Sequence, residues 1–165
     1  MFKKALIAAS LVAAAGVHAE TVPIMGTVEA KCVITIDTTG VYGNPSPSVL
    51  STVPAEGGVE PVVRYDVISS DYYKAVISTP DSFSSSPELD DVVNWTGSVE
   101  VAEVTDPLMS DYDTVKIEYN NTTEYNLSIA GSTWFKIASR AEYGYDKSLP
   151  AGDYNAIVTA ECIAL

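Results

Sequence analysis

The chain has 165 residues, of which 47% are hydrophobic, and its 22 acidic and nine basic residues give a formal net charge of −13 at pH 7. This acidic balance argues against nucleic acid as a partner, because its phosphates would repel the protein surface. The length suits one domain with a substantial hydrophobic core rather than two domains.

The first 19 residues have the layout of a secretory signal peptide. Lys3 and Lys4 form a short basic start, residues 5–17 form an apolar run too short to span a bilayer, and small residues precede a cleavage point after Ala19. We therefore predict a signal peptide over residues 1–19 and export of the rest. The mature chain would keep seven basic and all 22 acidic residues, and it has no other stretch suited to crossing a membrane.

The inventory of catalytic side chains is poor. The single histidine, His18, would leave with the signal peptide, so the mature chain would have no imidazole to act as a base or to bind a metal. Ser-His and Cys-His mechanisms are thereby excluded, and no glycine-rich phosphate loop is present. We expect no enzymatic activity and no cofactor, and an enzyme that uses only carboxylates ranks last among the alternatives.

Alternation of apolar residues is most extended near the start of the predicted mature chain, where every even position from 22 to 36 is apolar or small. This is the pattern of a strand with one buried face. Fifteen residues would extend roughly 50 Å, whereas a typical strand has about five or six residues. We therefore predict two pieces, of which residues 32–36 belong to the domain. The other piece can act as a detachable strand whose one face carries Val22, Ile24, Gly26, Val28 and Ala30. The alternative is an ordinary first strand with a frayed beginning, folded back into its own domain.

The middle of the chain has a residue pattern typical of an all-β protein, with β-branched and aromatic runs separated by turn-forming residues. Strands are predicted over 62–69, 73–78, 99–104, 114–119, 124–130 and 133–139. Loops are predicted over 40–48, 54–58, 82–87, 120–121 and 131–132. Short strands with turn signals every ten or so residues indicate a β-sandwich.

Two groups of side chains in this middle region are candidates for binding. Asp111 and Asp113, with Asp106 nearby, could supply oxygen ligands to calcium or could simply form a solvated turn before the strand that starts at 114. A set of aromatic residues could form a sugar-binding platform, with Trp95 as the surface candidate and Trp134 more suited to packing. The aromatic residues of that set are Tyr72, Tyr73, Trp95, Trp134 and Phe135.

The end of the chain alternates in the same way as its start. One face of residues 153–165 carries Tyr154, Ala156, Val158, Ala160, Cys162 and Ala164. Cys32 and Cys162, the two cysteines of the chain, therefore both lie on the core-facing side of a terminal strand. Because exported proteins meet oxidising conditions, we predict that the two form a disulfide that ties the terminal strands together; the alternative is two buried, unlinked cysteines.

Several segments together carry a resemblance to a known family. They are 24–30 (IMGTVEA) leading into 33–37 (VITID), 64–69 (RYDVIS) followed by 74–77 (KAVI), and the closing 150–160 (PAGDYNAIVTA). With this layout the chain resembles the chaperone-usher pilins, most of all the major subunits of colonisation-factor and cable-type pili.

The resemblance implies an immunoglobulin-like β-sandwich that lacks its last strand and is completed by the N-terminal extension of a neighbouring subunit. Residues 20–31 would be this donor extension and residues 32–165 the pilin domain. The groove-facing donor residues would be Val22, Ile24, Gly26, Val28 and Ala30. Glycine in the middle of such a strand fits where a bulky side chain would clash.

The same resemblance implies the partners and the destination. Identical subunits would form an adhesive homopolymer, exported through the periplasm to the cell surface as a pilus or fimbrium. A periplasmic chaperone and an outer-membrane usher would assist assembly. The chaperone would hold the terminal strand, whose contacting residues would be Ala156, Val158, Ala160 and Leu165. The alternative function is a monomeric, secreted β-sandwich that binds carbohydrate.

Overall fold

A computed structural model describes residues 23–27, 31–69, 72–145 and 147–165 of the chain. The predicted signal peptide, residues 1–19, lies outside the described residues. The strands are β1 (Cys32–Thr38), β2 (Gly43–Ser46), β3 (Val49–Ser51), β4 (Val62–Val67), β5 (Tyr73–Ser78), β6 (Phe83–Ser85), β7 (Val93–Val104), β8 (Ile117–Tyr119), β9 (Thr122–Leu127), β10 (Gly131–Tyr143), β11 (Asn155–Ala156) and β12 (Thr159–Ala164). Short helical segments are two 3₁₀ turns, Pro54–Glu56 and Pro107–Met109, and the helix α1 (Tyr112–Val115).

All of the strand pairings are antiparallel, and they form two main sheets. In the first sheet β10 pairs with β7 on one side, and on its other side it pairs with β4 and, further along, with β3. β1 adds to β4, and β2 adds to β3. The second sheet has the strand order β12-β5-β9-β8, and β6 and β11 form a small separate pair. The prediction of an all-β protein is confirmed.

The two main sheets face each other across one hydrophobic core. Buried and half-exposed positions alternate along β4, β5 and β10, as the period-two pattern of each strand requires. Tyr65 and Phe135 of the first sheet and Tyr125 of the second are almost fully buried. The rings of Tyr65 and Tyr125 pack on Phe135 with centroid distances of 5.5 and 4.4 Å. Burial of each large apolar side chain contributes about 1.5–3 kcal/mol to folding.

The predicted strand over 114–119 is wrong in its first half, because α1 occupies the chain up to Val115. The side chain of Asp113 accepts hydrogen bonds at 3.0 Å from both the Val101 backbone amide and the Tyr125 hydroxyl, and Tyr112 beside it is buried in the core. These long-range contacts hold a helical turn that the β-branched local sequence does not favour. Elsewhere β2 and β6 lie within predicted loops, and β7 starts six residues before the predicted strand at 99.

The described residues contain no helix that is both long and apolar enough to cross a bilayer.

Candidate functional site

The first and last strands each have one unpaired edge. β1 pairs only with β4, and β12 pairs only with β5; no other strand of the described residues pairs with either. The outward edge of each strand therefore presents backbone N–H and C=O groups that a further strand can pair with. We call the space between these two edges the β1–β12 groove.

Apolar side chains line the β1–β12 groove without being fully buried. Ile34 of β1 and Val158 and Ala160 near the chain end pack against the core but stay half-buried. Ile36, two residues along the same face of β1, is 73% exposed. Core-facing aliphatic side chains that remain accessible indicate that the hydrophobic core is open along this line.

A cavity of about 320 Å³ lies at one end of the β1–β12 groove. It opens between the second half of β1, at Ile36 and Thr38, and the segment Ala156–Val158 that leads into β12. Val63 of β4 and Ser139 of β10 contribute to its lining, so the cavity reaches the inner face of the first sheet. This end of the groove can accept an apolar side chain from outside.

The other end of the β1–β12 groove is closed by a disulfide. Cys32 begins β1, Cys162 lies near the end of β12, and their sulfur atoms are bonded, with 6.4 Å between the two Cα atoms. The predicted bridge is present. Because the bridge joins the start of β1 to the end of β12 while the cavity joins the end of β1 to the start of β12, the two strands run in opposite directions along the groove.

A hydrogen bond from a buried tyrosine also fixes the position of β12. The Tyr65 hydroxyl, on β4, donates to the backbone carbonyl of Glu161 at 3.1 Å. Burial, together with the negative charge of Glu161, raises the pKa of Tyr65 above its ordinary value. The hydroxyl therefore keeps its proton and remains a donor at neutral pH, which holds β12 over the core.

The described part of the predicted donor extension makes no strand. Residues 23–27 lack secondary structure, and the side chains of Ile24 and Met25 are 97% and 90% exposed. A Cβ added at Gly26 would have no atom within 4 Å. Val22, Val28 and Ala30 lie outside the described residues. These two large apolar side chains are therefore not covered by any described part of the chain.

Two of the three carboxylates considered for calcium, Asp106 and Asp113, accept hydrogen bonds, whereas Asp111 makes no side-chain capping bond to α1. Asp106 accepts from the Leu108 amide at 2.9 Å, and Asp113 makes the contacts with Val101 and Tyr125 described above. Within the described residues, no three His, Cys, Asp or Glu side chains are grouped closely enough to hold a metal ion.

The aromatic residues proposed as a sugar platform lie in separate places. Tyr73 and Phe135 are buried in the core. Trp134 lies on the outer face of the first sheet, where the Arg64 guanidinium is 5.7 Å from its ring centroid. Trp95, on β7, packs edge-on against Phe83 at 4.7 Å. These rings do not form one continuous surface.

The lining of the groove includes residues that sequence reasoning did not single out. Val63 was predicted only as part of a strand, and Ser139 only as the end of one. The alternation of buried and accessible residues along their strands shows which face is buried. No local signal shows which end of that face is left uncovered. That depends on how far β12 and β1 diverge beyond the bridge.

Comparison with protein-family models, with curated proteins and with solved structures finds no match to this chain.

Proposed function

We propose that this protein is a pilin, the structural subunit of an adhesive pilus of the chaperone-usher type. In this proposal the domain is an immunoglobulin-like sandwich without its last strand. The N-terminal extension of a neighbouring copy fills the β1–β12 groove, and repetition of that contact builds a homopolymer. Adhesion at the cell surface is its biological consequence.

One observation supports the proposal more than any other. An open groove with two unpaired strand edges and accessible apolar side chains occurs in the same chain as an exposed apolar segment, which includes Ile24. An inserted strand would pair its backbone with both edges and place alternate side chains over the core. Each aliphatic side chain so buried contributes about 1.5–3 kcal/mol.

The alternation of the extension fits this use. Val22, Ile24, Gly26, Val28 and Ala30 would point into the β1–β12 groove, and the residues between them would point to solvent. The inward set is apolar or small throughout, whereas the outward set includes Thr27 and Glu29. A one-residue shift would place Glu29 over the core, so the register of docking is specified.

Assembly would require partners that protect the groove before polymerisation. A periplasmic chaperone would cover the exposed apolar residues and pair with the edge of β12, and an outer-membrane usher would receive the subunit. The exposed edge and the 44% and 67% exposure of Ile163 and Leu165 support such a need, because an uncovered apolar edge strand promotes aggregation.

The carbohydrate-binding alternative has weaker support. The ring of Trp95 contacts Phe83, which in turn contacts Tyr154 at 5.1 Å between ring centroids. The rings of Trp95, Phe83 and Tyr154 pack against one another, which joins β7 to β6 and to the residue just before β11. Their faces are therefore less available to a sugar ring.

Electrophoresis of the exported protein in detergent, with and without boiling, tests the proposed function. Docked strands resist detergent until heated, so the unboiled sample should give a ladder of multimers and the boiled sample a single monomer band. Deletion of residues 20–30 should abolish the ladder and leave a folded, aggregation-prone monomer. A single monomer band from the intact protein under both conditions would contradict the proposal.

A further inference from the structure

We infer that the Cys32–Cys162 disulfide keeps the chain's own N-terminal extension out of the β1–β12 groove and so reserves the groove for the extension of a second copy. The inference rests on the proposed function, and it concerns which copy supplies the strand.

The β1–β12 groove is narrow at the bridge. Neighbouring strands in a sheet lie about 4.8 Å apart, so a strand inserted between β1 and β12 needs those strands to be roughly 9.6 Å apart. The bridge holds the Cα atoms of Cys32 and Cys162 at 6.4 Å. A disulfide seldom allows more than about 6.8 Å between Cα atoms. While the bridge is intact, no strand can lie between β1 and β12 at this level.

The extension of the same chain joins β1 at the bridged end of the groove. Lys31 immediately precedes Cys32, and its carbonyl accepts a hydrogen bond from the Ile68 amide at 3.0 Å. The chain therefore enters β1 already paired beside the end of β4. To dock in its own groove, the extension would have to reverse direction next to Cys32, with at least about two residues in the turn. That reversal would have to start beside the bridge, at the level where no strand fits between β1 and β12.

The extension of a second copy has a path into the groove that avoids this reversal. A strand from a second copy can run from the bridge towards the cavity, antiparallel to β12 and parallel to β1. The C-terminal end of that strand then leaves at the open end, past Ile36 and Ala156, where its own domain follows. No turn at the bridge is needed. From Val33 to Thr38 the edge of β1 is six residues long, about 20 Å, close to the length of residues 24–30.

The bridge thus acts as a barrier between two competing occupants of one site. Without the bridge, β1 and β12 can separate at Cys32. The chain's own extension then outcompetes the extension of a second copy for the groove, because tethering gives it a higher effective concentration there. The expected product is a self-docked monomer that neither accepts nor donates a strand.

Trypsin cleavage after Lys31 tests the inference, because Lys31 is exposed and its cleavage releases the extension. The samples are monomers of the exported protein, refolded at low concentration under oxidising conditions, and the same preparation of a Cys32→Ser/Cys162→Ser variant. We expect cleavage of the variant to be slower by about tenfold or more, because the extension must first leave the groove before trypsin can reach Lys31. The variant should also give no detergent-resistant ladder.

A further substitution shows whether the protection comes from docking of the extension. Ile24→Asp in the serine double variant should restore rapid cleavage, because a carboxylate cannot be buried in the groove. Should the double variant fail to fold, wild-type protein reduced with a phosphine and then freed of the reductant provides the same comparison.

The outcomes separate this inference from the proposed function. Equal cleavage rates and equal ladders for both proteins would overturn the inference while the proposed polymerisation stands. Absence of a ladder from the disulfide-bonded protein, together with no binding of a synthetic peptide of residues 20–30, would overturn both.

Discussion

Ile34 and Ile36 lie on the same face of β1, yet Ile34 packs against the core while Ile36 is 73% exposed. The difference arises because β12 stays close to β1 at the bridged end and leaves a cavity at the other. An aliphatic side chain at a core-facing position is thus left uncovered by the described residues.

Substitution of Ile36 tests the role of this open end. Ile36→Asp should change the free energy of unfolding by less than about 1 kcal/mol, since the side chain is already exposed. It should weaken binding of a peptide of residues 20–30 by about tenfold or more, because docking would bury an unpaired carboxylate. Thr35→Asp, on the exposed opposite face of β1, is the matched control and should bind the peptide normally. Titration calorimetry measures the affinity of each variant for the peptide. Equal affinities of the Ile36→Asp and Thr35→Asp variants would show that Ile36 does not face the docked strand.

Loss of the disulfide should destabilise the domain. The bridge joins residues 130 positions apart. The chain-entropy model assigns about 5 kcal/mol to a loop of this length, and removal of a native bridge typically costs about 2–5 kcal/mol. The Cys32→Ser/Cys162→Ser variant should show that loss in urea unfolding once residues 20–30 are also deleted from both proteins, which prevents self-docking from masking it. Equal midpoints would show that the bridge adds little to stability.

The stability of the protein should fall in alkaline solution. Burial, with nearby carboxylates, raises the pKa of Tyr65 and Tyr125 in the folded state. Below the unfolded pKa of about 10 both states keep these protons. Above it the unfolded state releases protons that the folded state retains, so the free energy of unfolding falls as pH rises, by up to about 1.4 kcal/mol per pH unit for each tyrosine. Unfolding between pH 9 and 11 measures the slope, which Tyr65→Phe should reduce. A slope unchanged by that substitution would contradict the assignment.

Asp113 and Asp111 should differ in their effect on stability. Asp113 accepts from the Val101 amide and the Tyr125 hydroxyl, whereas Asp111 makes no side-chain capping bond to α1. Asp113→Ala should cost about 2 kcal/mol, because it leaves the Val101 amide without its acceptor and removes a part-buried hydrogen bond of the Tyr125 hydroxyl. Asp111→Ala should stay within about 0.5 kcal/mol. Urea unfolding with and without added calcium measures both. Equal losses, or a calcium-dependent gain in stability that both variants lose, would favour the metal interpretation.

The sequence predicted those strands whose own residues carry a pattern typical of β-structure. Runs of β-branched and aromatic residues over 62–69, 73–78 and 133–139 predicted β4, β5 and much of β10, and the alternation of the last residues predicted the core-facing side of Cys162. The bridge followed from export and from the equivalent positions of the two cysteines.

The parts that the sequence did not predict depend on contacts between distant residues. α1 replaces a predicted strand because Asp113 reaches Val101 and Tyr125, and neither contact is visible in the local pattern. The cavity depends in the same way on Val63, which lies far in sequence from Ala156. Alternation identifies an inward face; it does not show where that face is left uncovered.

Two neighbouring residues of the extension provide a matched test of polymerisation through a donated strand. Ile24 and Met25 are both almost fully exposed, so Ile24→Asp and Met25→Asp should leave the monomer equally stable. In a docked strand Ile24 faces the core and Met25 faces solvent. Electrophoresis of unboiled protein should therefore show a wild-type ladder for Met25→Asp and monomer alone for Ile24→Asp. Equal ladders from the two variants would contradict polymerisation through this strand.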